Sequence, residues 1–181
     1  MDEIVKAALA KWPNVPDCRG WLGLDARGDW YMRDAGVQAA GPFPASRGAR
    51  VAHDRLRAFI ERNYEADAHG AWFFQNGPQR VYVELEAAPW VWRVDPALAE
   101  AGRVRTHTGR EARPQAVWLD EQGRVFLACD LGFGLVHTQD VLAVSELMER
   151  QGWPVQELPW AQMPGRFGFI ASPQAGLAGP A

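Results

Sequence analysis

Three stretches of this chain write the same corner: Asp25-Ala26-Arg27-Gly28-Asp29-Trp30-Tyr31, Asp67-Ala68-His69-Gly70-Ala71-Trp72-Phe73 and Asp120-Glu121-Gln122-Gly123-Arg124-Val125-Phe126. An Asp side chain can accept from the amides that follow it. A glycine three residues later can take the left-handed conformation that closes a turn ahead of a strand. Each corner therefore predicts two strands joined by a tight connection. A degenerate fourth copy, Gln162-Met163-Pro164-Gly165-Arg166-Phe167, follows the third at the spacing by which the second follows the first, which points to a duplicated unit.

The pattern between the corners supports that reading. Ile4, Val5, Ala8, Leu9 and Trp12 recur at helical spacing behind Asp2 and Glu3 and ahead of Pro13, so an amphipathic helix opens the chain. Residues 35–50 hold three Gly and two Pro without apolar period and read as a surface loop. Leu56, Phe59, Ile60 and Tyr64 mark one face of a second helix over about 52–64. Strands are expected at 71–75, 79–86 and 90–94. In the second of these Val81, Val83 and Leu85 face the core, and Tyr82, Glu84 and Glu86 face water on an edge strand. The hairpin at 117–129 repeats the first at an offset of 95 positions, with Leu24, Asp25 and Gly28 matched by Leu119, Asp120 and Gly123. A third helix follows a Thr138 N-cap and stops at Gly152 and Pro154. The helices do not align at the same offset as the corners.

The expected class is α+β: two repeated units of antiparallel hairpin or sheet plus one helix, with an extra N-terminal helix. Residues 1–97 and 112–181 form the units, packed as one globule, and 98–111, where charge and Gly rise, connect them.

With 181 residues, 48% of them hydrophobic and nine of them Trp, the chain is long enough to bury roughly 70% of the surface its unfolded form exposes. A net charge of −3 offers no general attraction to nucleic acid or anionic lipid. No stretch reaches the ~18 apolar residues of a membrane span. No basic, apolar and small-residue series marks an export signal at the start, and Cys18 and Cys129 read as reduced thiols. The expected setting is the cytoplasm, with no nucleic acid or membrane partner.

Chemistry-bearing patterns are sparse. Gly132-Phe133-Gly134 lacks the lysine and spacing of a phosphate loop, and His53, His69, His107 and His137 share no metal-ligand spacing. No metal or cofactor is expected. Cys129 beside Asp130, with His137 nearby, is the one arrangement with a nucleophile and a base, since a thiol needs a neighbouring imidazole to ionise at neutral pH. The competing account makes Cys129 a small buried hydrophobe. Trp72, Phe74, Trp90 and Trp92 either line a ligand groove or form core, and Arg33, Arg80 and Arg93 beside them are candidate anion contacts.

Taken in order, Trp12-Pro13, Cys18, the Leu24-Asp25-x-x-Gly28-x-Trp30 hairpin, the Leu56-to-Phe59 helix, the Asp67-x-x-Gly70 turn and Val81-to-Trp92 resemble an uncharacterised proteobacterial family of small proteins. The chain is also distantly similar to a second family of unknown function. That resemblance implies a fold of repeated structural motifs and a role in signal transduction. It carries over no catalytic residue.

The functional expectation is a non-enzymatic cytoplasmic binding or regulatory module for a small molecule or a protein. The alternatives are a small enzyme built on Cys129 and His137, and a homodimeric structural or interaction protein.

Overall fold

Two sheets, each with its own helices, make up the chain in a computed structural model that describes residues 1–177. Two compact units are distinguished. The first takes in Met1–Asp25, Asp29–Glu86 and the segment from Phe169 onward, and the second Ala26–Gly28 and Ala87–Gly168.

The first unit contains α1 (Glu3–Lys11), β1 (Cys18–Leu24), β2 (Trp30–Met32), α2 (Ala35–Ala40), β3 (Ala49–Arg50), α3 (Asp54–Arg62), β4 (Tyr64–Ala66), β5 (Trp72–Asn76) and β6 (Gln79–Leu85). Its sheet runs β3-β2-β1-β6-β5-β4. The helix expected at the start is α1, but its apolar stripe lies largely outside: Val5 is buried whereas Ile4 and Trp12 are exposed. Residues 35–50 are not a plain loop. Asp34 accepts from Val37 N–H at 2.9 Å and starts α2, and Ser46 donates to the Val37 carbonyl at 2.7 Å. Nor is β6 an edge strand. It is hydrogen-bonded between β1 and β5, and Tyr82 and Glu84 are as buried as Val83, so neither of its faces is wet. The residues that follow Phe169 account for this: Leu85 N–H donates to the Ala171 carbonyl, and Ser172 reaches Glu84.

The second unit contains β7 (Trp90–Arg93), α4 (Pro96–Glu100), β8 (Val104–Thr106), β9 (Glu111–Ala112), β10 (Pro114–Leu119), β11 (Val125–Cys129), β12 (Gly132–Val136), α5 (Val141–Gln151), β13 (Val155–Glu157) and α6 (Met163–Phe167). Its sheet runs β13-β10-β11-β12-β7-β8-β9. Residues 98–111, read as a connector, carry the end of α4, β8 and the start of β9.

The three corners have one geometry. Asp25, Asp67 and Asp120 each donate a backbone N–H to the carbonyl four residues on, and each accepts that residue's N–H on its carboxylate, at 2.9, 3.0 and 2.8 Å. Gly28, Gly70 and Gly123 take φ of 86°, 84° and 73°. The fourth copy fails. Pro164 suits the first turn of a helix, Gly165 falls inside α6, and no corner forms.

A shared core underlies the two sheet orders: β3-β2-β1-β6 corresponds to β12-β11-β10-β13. In each, three antiparallel strands are followed by a helix, α3 or α5, and then by a strand parallel to the first of the three. The registers coincide. Leu22–Met32, Gly23–Tyr31 and Leu24–Trp30 match Val117–Leu127, Trp118–Phe126 and Leu119–Val125. Leu22–Val83 matches Val117–Val155, and Tyr31–Arg50 matches Phe126–Leu135. The residue after each return strand donates back in the same way, Glu86 to the Leu24 carbonyl and Leu158 to the Leu119 carbonyl, both at 3.0 Å. The β4–β5 hairpin interrupts only the first unit, between helix and return strand. The Asp67 corner belongs to that insertion, which is why helices and corners share no single offset.

Candidate functional site

The second unit holds an open cleft of about 650 Å³ lined by residues including Leu98, Arg103, Glu111, Arg113, Gln151 and Trp153. Three chain turns build it. Asp95 caps α4 by accepting from Leu98 N–H at 3.0 Å, and Gly102 ends that turn at φ 67°, so Arg103, just ahead of β8, stands at the wall. β9 brings Glu111, and the link between β9 and β10 brings Arg113. At the end of α5, Gly152 takes the left-handed conformation at φ 65° and Trp153 N–H returns to the Met148 carbonyl at 3.2 Å, which turns the indole toward the cleft. Arg150 fixes α5 to α4 through the Ala99 carbonyl at 3.2 Å. Arg103 pairs with Glu111 at 2.9 Å, and Arg113 adds a second guanidinium on the same lining. Two cations against one carboxylate, beside an indole, suit an anionic group attached to a flat apolar body.

The residues singled out from sequence fall elsewhere. Cys129 and His137 stand at opposite ends of their hairpin: Cys129 pairs with Gly132, and His137 lies five residues farther along, about 16 Å at strand rise. Burial, and then the charge of Asp130, push the Cys129 thiol up, away from thiolate. The His137 ring accepts from Gln139 N–H at 3.2 Å and shapes the turn ahead of α5, a place the sequence assigned to Thr138. The two are not brought together as nucleophile and base.

The aromatic candidates are packed against protein. Trp90 and Trp92 are buried and donate to the Leu131 and Leu127 carbonyls at 3.0 and 3.1 Å. Phe74 meets Phe59 edge-on at 5.4 Å, and Trp72 lies 4.7 Å from Tyr64. Arg80 sits over the Phe73 ring at 4.6 Å, and Arg93 is held by Asp140 at 2.6 Å. Arg33 is wholly buried and donates to the carbonyls of Gly20, Gly41 and Ser46 at 2.9, 2.7 and 3.0 Å. Its guanidinium is committed to backbone carbonyls and is closed off from an outside anion.

Glu84, which the sequence placed in water, is buried and accepts from Ser172 Oγ and from Gln174 N–H at 2.9 Å. Burial raises its carboxyl above the usual carboxylate range, against the pull of those hydrogen bonds and of Arg33 and Arg19. Most of the cleft residues, Leu98, Arg103, Glu111 and Arg113 among them, escaped the sequence reading because they lie in or beside the supposed connector. The one signal available was Trp153, an indole directly after a helix-ending glycine.

Among the described residues, no three His, Cys, Asp or Glu side chains group as metal ligands, and no helix is long and apolar enough to cross a membrane. No curated protein matches the chain. Two solved structures are similar, both titled as DUF1285 family proteins. The one from Silicibacter pomeroyi DSS-3 shares 12% identity over 82% of this chain and 84% of that one, with a TM-score of 0.49. The one from Shewanella baltica OS155 shares 16% identity over 70% and 91%, with a TM-score of 0.42. The family model DUF2944, described as "Protein of unknown function (DUF2946)", matches residues 1–174, which agrees with the resemblance to a family of unknown function.

Proposed function

We propose, for a chain that belongs to the DUF2944 family, a non-catalytic binding module of regulatory character whose receptor is the cleft of the second unit. The ligand is a small anion with a flat apolar part. One observation carries this reading: Arg103, Arg113 and Trp153 converge on a cleft whose volume lies within the roughly 300–1,000 Å³ of small-molecule sites. The separation of Cys129 from His137, with a thiol held protonated, supports recognition over covalent chemistry. Signal transduction, the role implied by resemblance, fits a module that reports a metabolite without transforming it. Cytoplasmic residence is part of the proposal, resting on the free thiols of Cys18 and Cys129.

The test is thermal unfolding with inorganic phosphate, citrate, benzoate and adenosine monophosphate. At a hundredfold excess over Kd a ligand stabilises by about 2.7 kcal/mol, a rise of several degrees in a chain of this size. At least one probe is expected to give a saturable rise that Arg113→Glu abolishes. A full set of flat titrations, or a rise that survives Arg113→Glu, overturns the reading.

A further inference from the structure

The two units share their strand registers but not the volume of the side chains between sheet and helix. In the first unit Trp30 is 1% exposed, sits across the hairpin from Leu24, meets Tyr64 edge-on at 5.1 Å and lies beside Glu61 of α3. Its indole fills the space beneath α3. The register gives Val125 the place of Trp30, Val117 that of Leu22, and Leu119 that of Leu24. The buried helix positions Ile60 and Val144 align, which places Ser145 where Glu61 stands. Both helices cross over between parallel strands, a connection that is right-handed in about 98% of cases, so each lies on the same face of its sheet. Around Val125 the counterparts Val117, Val144 and Ser145 are smaller than Leu22, Ile60 and Glu61, Leu119 equals Leu24, and a pocket of about 180 Å³ opens there, lined by Val117, Leu119, Val125, Val144, Ser145 and Met148 among others.

We propose that this pocket beneath α5 is a second binding site, separate from the cleft, for a neutral aromatic small molecule of indole size. The occupant is argued from the chain itself, which places a tryptophan ring at the equivalent point of its own first unit. The size agrees, since apolar cavities of about 150 Å³ in other proteins stay dry and take up benzene, and this one is modestly larger. The lining is apolar except for Ser145, an exposed residue at the mouth that holds the position Glu61 takes beside Trp30. A ring entering flat would bury its faces between Val125 and Val144 and leave its N–H toward Ser145.

The probe is indole, titrated into the full chain and followed by backbone amide shifts in nuclear magnetic resonance. Saturable shifts centred on Val117, Val125, Val144 and Met148 are expected at submillimolar to low-millimolar indole. Val125→Trp, which writes the first unit's residue into the second, should weaken binding at least tenfold while holding or raising Tm. Should that variant fail to fold, Val144→Phe narrows the same space from the helix side and is read in the same way. Arg113→Glu, in the cleft, should leave indole binding unchanged, which separates this site from the cleft. Shifts that do not saturate, shifts centred elsewhere, or a folded filling variant that binds like the parent overturn the proposal.

Discussion

Gly134 lies flat against Trp92: a Cβ built on that glycine would stand 2.5 Å from the indole Nε1 and 2.6 Å from the Trp90 carbonyl oxygen. The indole is thereby fixed beside β12, where it donates to the Leu127 carbonyl at 3.1 Å. Two of the atoms in the way belong to Trp90, one of them backbone, so a side chain here has no cheap escape. Gly134→Ala should destabilise the chain by about 2–3 kcal/mol, the upper part of the overpacking range, measured by urea unfolding. A loss under about 0.5 kcal/mol would mean that β7 and β12 separate more easily than their parallel register implies.

Arg33 offers a different kind of test. Its three carbonyl acceptors lie on β1, at the end of α2 and ahead of β3, so one guanidinium ties the segment 34–48 to the sheet. Arg33→Met removes every donor at once and leaves buried carbonyls unpaired, at a cost of about 3–5 kcal/mol. Arg33→Lys keeps the charge but has no planar fork, and should recover less than half of that loss. Limited proteolysis checks the location: the first cut in Arg33→Met should fall within 34–48.

The contrast between these two residues explains what the sequence could disclose. Corners, hairpins and most strand and helix positions were legible because each is set by short-range chemistry, an Asp with a glycine three residues on or an apolar period. The repeat was legible for the same reason, through the matched hairpins. What stayed hidden depends on distant partners. Glu84 looks like a surface acid until residues 172–174 arrive to bond it. Arg33 looks like a surface cation until three carbonyls surround it. The cleft was invisible because Arg103 and Trp153 are fifty residues apart and meet only through the return of α5 beside α4. The β4–β5 insertion hid the agreement of the helices, which appears only when strand pairing is known.

His107 makes stability depend on pH. The His107 ring accepts from Val91 N–H at 3.3 Å, and the His107 backbone N–H donates to the Val91 carbonyl at 2.8 Å, so a side chain stands in the ladder beside β7. Burial pushes its pKa down to about 3, from 6.5 in the unfolded chain. Below pH 6.5 the unfolded chain takes up a proton that the folded one refuses, so the contribution is full above pH 6.5 and is lost as pH falls toward 3. The slope is at most about 1.4 kcal/mol per pH unit. His107→Asn keeps a short acceptor without a titrating ring. Urea unfolding at pH 7.5, 6 and 5 should give the parent the steeper decline, and parallel lines would remove His107 as its source.

Asp120 and Gly123 divide the energy of a corner into two measurable parts. The Asp120 carboxylate is buried, accepts from Gln122 N–H and Arg124 N–H at 3.0 and 2.8 Å, and holds the Arg124 guanidinium at 2.6 Å. Asp120→Asn retains an amide oxygen for the two backbone donors and loses the charged partner, at about 1–1.5 kcal/mol, whereas Asp120→Ala leaves the donors without an acceptor, at about 2–4 kcal/mol. A Cβ on Gly123 would meet nothing within 4 Å, so Gly123→Ala tests the left-handed conformation alone. Its cost should be about 1–2 kcal/mol. Gly28 takes the same place in the Asp25 corner at φ 86°, but a Cβ there would come within 2.7 Å of the His107 side chain. Gly28→Ala should therefore cost more than Gly123→Ala. Equal losses at the two glycines would mean that only backbone conformation selects glycine at these corners and that the space around them plays no part.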